Sequence, residues 1–398
     1  MKILLLVPFL PNREMSGGQT RWYNLIKHLS KDHEITLLSL IKDDWEKKFI
    51  PELEKFCDKV MVFKRPKSPW TLRNLFLTAI SFYPLVVIRN LSLDERRAIK
   101  KELEDEEYDI IHAETFYVMP HIPKTKTPIV LVEPTIEFSV YKHYVDNEVS
   151  WFLKPIYMFD ILKLRFWEKY YWRRADKVMA VSEEDKRVIE REIEGLDVDV
   201  IPNGIDSEYF ENKKIKKKTP PRILYVGNYK WMQNIEAVDI LIHKIWPEVK
   251  KQVDKVKLWI VGVNMPDSIM HLADEDKDIE VTEAIPDVRG AYKGASVLVA
   301  PIKGPGGTRL KVLEALASEL PVVSTSVGVA GLEIKPGKHA LVSNSTGDLI
   351  DYTIKVLKDP KFAAKIGRQG KEFVADNFDW KGIAGKLNSI YKDLLKSK

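Results

Sequence analysis

Residues 304–314 read GPGGTRLKVLE, and their types and spacing suit the binding of a strongly negative group. Gly304, Gly306 and Gly307 let a backbone approach a ligand closely. A helix opening at Thr308 would aim free N–H groups and the positive end of its dipole at whatever the loop holds. Arg309 and Lys311 fall in its first turn, where the dipole alone favours acids. Two cations at that place make sense only beside something more negative. Glu314 follows Lys311 by three residues, roughly one turn deeper on a neighbouring face. A diphosphate held by the loop, Arg309 and Lys311, with Glu314 reaching ribose hydroxyls, accounts for every polar choice in the segment. The plainer alternative is an ordinary αβ turn with a solvated basic helix end.

Three further sets of residues have chemistry to offer. Gly17 and Gly18 sit in PFLPNREMSGGQT, after the apolar strand Ile3–Val7 and before a helix expected over Gln19–Ser30. Such a pair serves phosphate contact or mere turn geometry. His112, Glu114, Glu133 and Glu137 are expected just past the carboxyl ends of strands, where polar groups converge on a substrate. Each could equally be a cap or a solvated loop residue; as a set they read as the wall of an acceptor site. Asp197-Val198-Asp199 and Asp274-Glu275-Asp276 have the spacing of a metal–diphosphate motif. Neither adjoins the glycine loops, so both are read as solvated pairs, and no metal is expected.

The elements that must position these groups follow a βα rhythm. Apolar strands such as Ile3–Val7, Pro128–Val132 and Ser296–Pro301 alternate with amphipathic helices, which argues for doubly wound parallel sheets. The rhythm restarts at Arg222 after the turn Pro202-Asn203-Gly204 and the polar linker Asn212–Pro221. Two domains are expected, residues 1–203 and 204–377, which the chain's 398 residues can accommodate. Phe138–Ala175 is rich in aromatic residues interleaved with Lys and Arg. It reads as a helical hairpin packed on the sheet or as a contact with a membrane or lipid-linked acceptor.

Composition narrows the classes. The chain is 45% hydrophobic and 30% charged with a net charge of +5, and its longest apolar runs are strand-length. A membrane span is not expected. The mild basic excess includes the linker run Lys213–Lys218, unlike a nucleic-acid footprint. A single cysteine, Cys57, excludes a disulfide framework and suits a reducing cytoplasm. Met1-Lys2 runs straight into a strand, without the pattern of a signal peptide.

The segment GGTRLKVLEALASELPVVSTSVGVAGL, with LYVGNYKWMQNIEAV and VSEEDK…VIPNGID upstream, resembles the retaining nucleotide-sugar glycosyltransferases of family 4, group 1. The resemblance spans essentially the whole chain. It implies a GT-B fold, two Rossmann-like domains facing a cleft, with the C-terminal domain holding the nucleotide. It further implies that the last helix, residues 378–398, returns to the N-terminal, acceptor-binding domain. Carried onto this sequence, Arg309 and Lys311 match contacts to the donor diphosphate, and Glu314 matches the glutamate on the ribose. Gly227 and Asn228 match a loop lining the nucleotide pocket, and Gly17 and Gly18 a loop near the donor phosphates. Thr308 and Leu310 lie at the helix mouth, the backbone of Leu310 near the phosphates. Two departures stand out. Gly306 occupies the place of a glutamate that faces the donor sugar, and Glu133-Pro134, with Glu137 nearby, stands where the family often has a histidine.

The implied activity is transfer of a hexose-type sugar from a UDP- or GDP-sugar to a glycan, lipid-linked or small-molecule hydroxyl, with retained configuration and no cofactor. The rival readings are a nucleotide-sugar epimerase, a sugar phosphorylase, or a non-catalytic nucleotide-sugar-binding subunit. A NAD-dependent oxidoreductase would need Gly-x-Gly-x-x-Gly after an opening strand, and a P-loop NTPase a Gly-Lys-Ser/Thr end. The chain has neither.

Overall fold

Strands that are apolar on both faces need helices above and below them, and the chain supplies both. The computed structural model describes residues 1–13, 17–211, 219–285, 287–304 and 310–397. These fall into two units, Met1–Pro202 with Trp380–Lys398, and Asn203–Asp379.

The first unit holds β1 (Lys2–Val7), β2 (Glu34–Ile41), β3 (Lys59–Lys64), β4 (Ile110–Glu114), β5 (Ile129–Glu133), β6 (Lys177–Ala180) and β7 (Val198–Val200). They pair in the order β3-β2-β1-β4-β5-β6-β7, all parallel. Strand order reverses between β1 and β4, the kind of switch point beyond which open sheets bind ligands. The helices used below are α1 (Gly17–Leu29), α2 (Leu72–Ile80), α3 (Leu93–Asp105), α4 (Glu137–Glu148) and α5 (Lys154–Arg174). The Thr71 hydroxyl caps α2 by accepting the Asn74 N–H at 3.1 Å, and Ser92 caps α3 through the Glu95 N–H at 3.3 Å. α4 and α5 pack on one another, and α5 turns Leu164, Tyr171 and Trp172 into the core beneath the sheet. The hairpin expected over Phe138–Ala175 is therefore present.

The second unit holds β8 (Arg222–Asn228), β9 (Lys257–Val263), β10 (Ile279–Glu283), β11 (Val297–Ala300), β12 (Val322–Ser324) and β13 (Leu341–Val342). Their order is β10-β9-β8-β11-β12-β13, again parallel, with the reversal between β8 and β11. Helix α6 (Met232–Ile240) follows β8, and α7 (Leu310–Ala317) lies between β11 and β12. The last helix, α8 (Trp380–Lys396), packs Trp380, Ile383, Leu387 and Tyr391 into the same core as β1 and α1 of the first unit.

Two helical stretches are interrupted at prolines. After β2 comes a 3-10 turn, Asp44–Phe49, followed by one α-turn, Ile50–Leu53, with Pro51 near its start. The helical stretch that begins with α6 is interrupted by a π-turn at Leu241–Ile245, just before Pro247. A proline lacks the N–H that an interior turn needs, so each helix restarts where the proline is tolerated.

Candidate functional site

Asn234 sits on the buried side of α6, with Ala237 and Val238 one turn on. A Cβ on Gly227 would come within 3.0 Å of the Asn234 side chain, so a glycine at the end of β8 lets that amide settle against the strand. The Asn234 amide then donates to the Asn228 carbonyl at 2.8 Å and accepts from the Tyr225 hydroxyl at 2.8 Å. Lys311, from the first turn of α7, donates to Asn234 Oδ1 at 2.6 Å and to the Tyr225 hydroxyl at 3.1 Å. Its ammonium also lies 4.2 Å from the centre of the Tyr225 ring. Both acceptors are uncharged, so these bonds orient the cation without cancelling its charge.

One turn along α7, Glu314 accepts from the Tyr292 hydroxyl at 2.7 Å. Burial raises the Glu314 carboxyl above its ordinary range, while the Tyr292 hydroxyl and the Lys311 charge pull it back. Part of the side chain is open to solvent; the protein crowded around the carboxyl sets the direction. Lys311 and Glu314 thus stand on one helix beside the end of β8, at the reversal of strand order. An oriented cation and a partly exposed carboxylate at a switch point can hold a diphosphate and a sugar hydroxyl.

Gly306, Gly307, Thr308 and Arg309 lie outside the described residues. Leu310 is the first residue of α7 and half-buried. Gly227 and Asn228, expected in a loop, are instead the last residues of β8, held in register with Gly262 and Val263 of β9. That close pairing requires glycine on the neighbour: a Cβ on Gly262 would fall 1.8 Å from the Gly227 carbonyl oxygen. Gly17 and Gly18 likewise open α1 rather than precede it. Gly18 has room for a side chain, since its Cβ would meet Trp22 at an ordinary 3.4 Å.

His112 and Glu114 do not lie past a strand end. They belong to β4 and are fully buried. His112 bonds Glu114 at 3.1 Å through Nε2 and the Tyr391 hydroxyl of α8 through Nδ1. Glu114 lies 3.7 Å from the Nε of Arg21, itself fully buried on α1. The Arg21 charge and the His112 bond hold the Glu114 carboxyl below its ordinary range against the opposing effect of burial. This network fastens α1 and α8 to the sheet. The strand continues past Ile110-Ile111 for three residues, to Glu114, because Arg21 and Tyr391 satisfy the polar side chains inside.

Glu133 ends β5 and Glu137 opens α4. Glu133 is buried and accepts from Trp172 Nε1 at 2.9 Å. Beside them, the buried Glu168 of α5 accepts the Glu137 and Phe138 N–H groups at 2.8 and 3.0 Å, capping α4 from a distance. Burial pushes all three carboxyls up, Glu137 to about 7, and their mutual charges push the same way for Glu133 and Glu168. Thr115, directly after β4, has φ of +75°, a strained setting for a β-branched residue. Acidic groups and strain therefore meet near the carboxyl ends of β4 and β5.

Sequence reasoning missed Asn234, Tyr225, Tyr292 and Glu168. Asn234 had a legible signal, a lone amide on an otherwise apolar helix stripe; the others are paired through the fold. Of the two Asp-x-Asp pairs, Asp197 and Asp199 both bind Lys177, and Asp276 accepts from Trp246 at 2.9 Å and Lys250 at 2.7 Å. Asp197, Asp199 and Asp276 are therefore ion-paired rather than merely solvated. Among the described residues no group of three or more His, Cys, Asp or Glu could hold a metal.

The sequence model described as "Glycosyltransferase Family 4" matches residues 15–209, and that described as "Glycosyl transferases group 1" matches residues 220–359. Between them they span most of the chain. An uncharacterized 44.6 kDa protein in the cps region of Klebsiella pneumoniae is 24% identical over 98% of this chain and 99% of its own length. A trehalose synthase of Thermococcus litoralis is 26% identical over 59% of this chain and 61% of its own. Among solved structures, HepE of Anabaena in complex with UDP and glucose superposes with a TM-score of 0.66, at 14% identity over 98% of this chain and 99% of that one.

Proposed function

The chain belongs to the group 1, family 4 glycosyltransferases, sugar-transferring enzymes of GT-B fold, and on that premise we propose retaining transfer of a hexose-type sugar from a UDP- or GDP-sugar to a glycan, lipid-linked or small-molecule hydroxyl. The second unit takes the nucleotide sugar, and the first supplies the acceptor side. The observation that carries the reading is the Lys311 ammonium, oriented by Asn234 and Tyr225 one helical turn from Glu314.

In this reading the bond from the anomeric carbon to the diphosphate breaks as negative charge grows on the leaving oxygens. Lys311, Arg309 and the amino end of α7 stabilise that charge, an effect worth about 2.7–4 kcal/mol for a single well-placed donor. The acceptor hydroxyl attacks the same face that the diphosphate leaves, and a phosphate oxygen takes its proton. Configuration is retained, and no protein base is required. Glu314 accepts from the ribose hydroxyls and fixes the nucleotide. The two cations take the place a divalent metal would fill, so the proposed reaction needs none. HepE, solved with UDP and glucose, supports a UDP-sugar as the first donor to test.

The test is a nucleotide-sugar panel scored for slow donor hydrolysis, with and without EDTA. One donor should be hydrolysed, with inhibition by its free nucleoside diphosphate and no loss in EDTA. Hydrolysis of none, or abolition by EDTA, contradicts the proposal.

A further inference from the structure

We propose that the outer face of the first unit formed by α2, the turn at 149–153 and α5 docks on an anionic lipid bilayer. Helix α2 is amphipathic and inside out. Leu72, Leu75, Phe76 and Ile80 recur at helical spacing and form one stripe, yet all four are exposed, Leu72 to 87% and Phe76 to 63%. The residue that α2 buries is Asn74.

Helix α5 repeats the pattern over a greater length. Ile156, Phe159, Leu162 and Phe166 form an exposed stripe, and Trp151 in the preceding turn is 83% exposed. Both acids of α5 turn inward: Asp160 accepts the Leu85 N–H at 3.2 Å, and Glu168 caps α4. The two stripes are continuous. Lys163 donates to the Thr78 and Ser81 carbonyls at 2.7 and 2.9 Å, tying the end of α2 to the middle of α5. The Phe82 and Phe166 rings then meet edge to face, centroids 5.0 Å apart. Lone exposed apolar residues are commonplace, but a joined patch of this kind marks an interaction surface.

Its charge identifies the partner. Residues 64–93 contain no Asp or Glu. Of their cations, Lys64 and Lys67 pair with Asp44 and Asp43 and Arg65 is buried against Asn90, which leaves Arg73 as the exposed cation of α2. Arg73 on α2 and Arg173 on α5 are exposed at the patch. A shallow depression beside the α5 stripe is lined by Leu162, Arg165, Phe166, Lys169, Tyr170 and Arg173. Glu192 engages Arg165 and Lys169 from outside that depression. Apolar side chains with cations among them suit the acyl boundary and the anionic headgroups above it. Exposed Trp70 and Trp151 add the rings favoured at that depth. A second copy of the chain fits less well, since pairing the same face would oppose cation to cation. Among the described residues no helix is long and apolar enough to cross a membrane, so the contact is peripheral.

The inference does not depend on the transfer reaction, and its test needs no substrate. The full chain is floated with vesicles of phosphatidylcholine alone or of phosphatidylcholine with phosphatidylglycerol. It should bind the anionic vesicles in preference and release as salt is raised. Phe76→Ser with Trp151→Ser should lower recovery about tenfold or more. Arg73→Glu with Arg173→Glu should abolish the preference for anionic lipid. All four sites are exposed, so the melting temperatures should match the wild type. Failure to bind anionic vesicles, or undiminished binding by the Phe76→Ser, Trp151→Ser variant, overturns the proposal. So does a wild-type dimer that this double variant dissociates in the absence of vesicle binding.

Discussion

The Lys311 ammonium lies 2.6 Å from Asn234 Oδ1, so a helix after one strand aims the cation of a helix after another. That bond makes Asn234 a positioning residue for the proposed diphosphate site. Asn234→Asp would place a carboxylate against the ammonium and neutralise it. The inhibition constant of free nucleoside diphosphate should rise by about tenfold or more. The melting temperature should fall as well, because the carboxylate cannot donate to the Asn228 carbonyl as the amide does. An unchanged constant would show that Lys311 does not act through this contact.

Glu314 titrates from a raised position, and the Tyr292 hydroxyl draws it back toward the ordinary range. Tyr292→Phe removes that donor and leaves burial in place, so the Glu314 pKa should rise further. The proposed ribose contact needs the ionised form. The acidic limb of the kcat/KM profile should therefore move to higher pH, by up to about one unit. A limb that stays in place or moves to lower pH removes Glu314 from the nucleotide contact.

Glu95 lies buried on α3, with its Oε2 3.4 Å from His121 Nε2. The two are not an ion pair. His121 accepts the Ser92 N–H through Nε2 at 2.9 Å and bonds the Val118 carbonyl through Nδ1, and burial pushes its pKa down to about 4. Burial raises Glu95 to about 8. The folded chain therefore holds this proton more tightly than the unfolded chain does. The stability contributed is complete below the ordinary carboxylate pKa and is lost as pH rises toward about 8. Glu95→Gln keeps the shape and removes the titration. The difference in unfolding free energy, variant minus wild type, should climb by a few kcal/mol between about pH 5 and 8. Denaturant melts across that range would reveal a flat difference if the carboxyl were already ionised.

Glu114 and Arg21 are buried together. Glu114→Ala strands a guanidinium in the core and should cost about 3–5 kcal/mol in denaturant unfolding. A residue on an open acceptor wall would instead lower turnover and leave the unfolding midpoint in place.

These residues also show how far the sequence could be read. The double-faced apolar strands and their helical spacers carried the two parallel sheets, because burial on both faces leaves a plain pattern. Lys311 and Glu314 were placed one turn apart on a helix by spacing alone. What stays hidden is pairing between distant segments. Nothing local to β4 says that Arg21 and Tyr391 would draw His112 and Glu114 into the strand. Nothing near α7 names Asn234 and Tyr225 as the groups that orient Lys311. The Gly227–Gly262 approach is likewise a property of the β8–β9 register. The breaks at Pro51 and Pro247 were legible and weigh more than the apolar period around them.

The central claim is that Lys311, at the amino end of α7, holds the diphosphate of the donor. Calorimetric titration of UDP and GDP into the wild type and Lys311→Ala tests it most directly. The account predicts that one nucleotide binds the wild type and that the variant binds it about a hundredfold more weakly, with an unchanged melting temperature. Equal affinity of the two proteins for that nucleotide would contradict it.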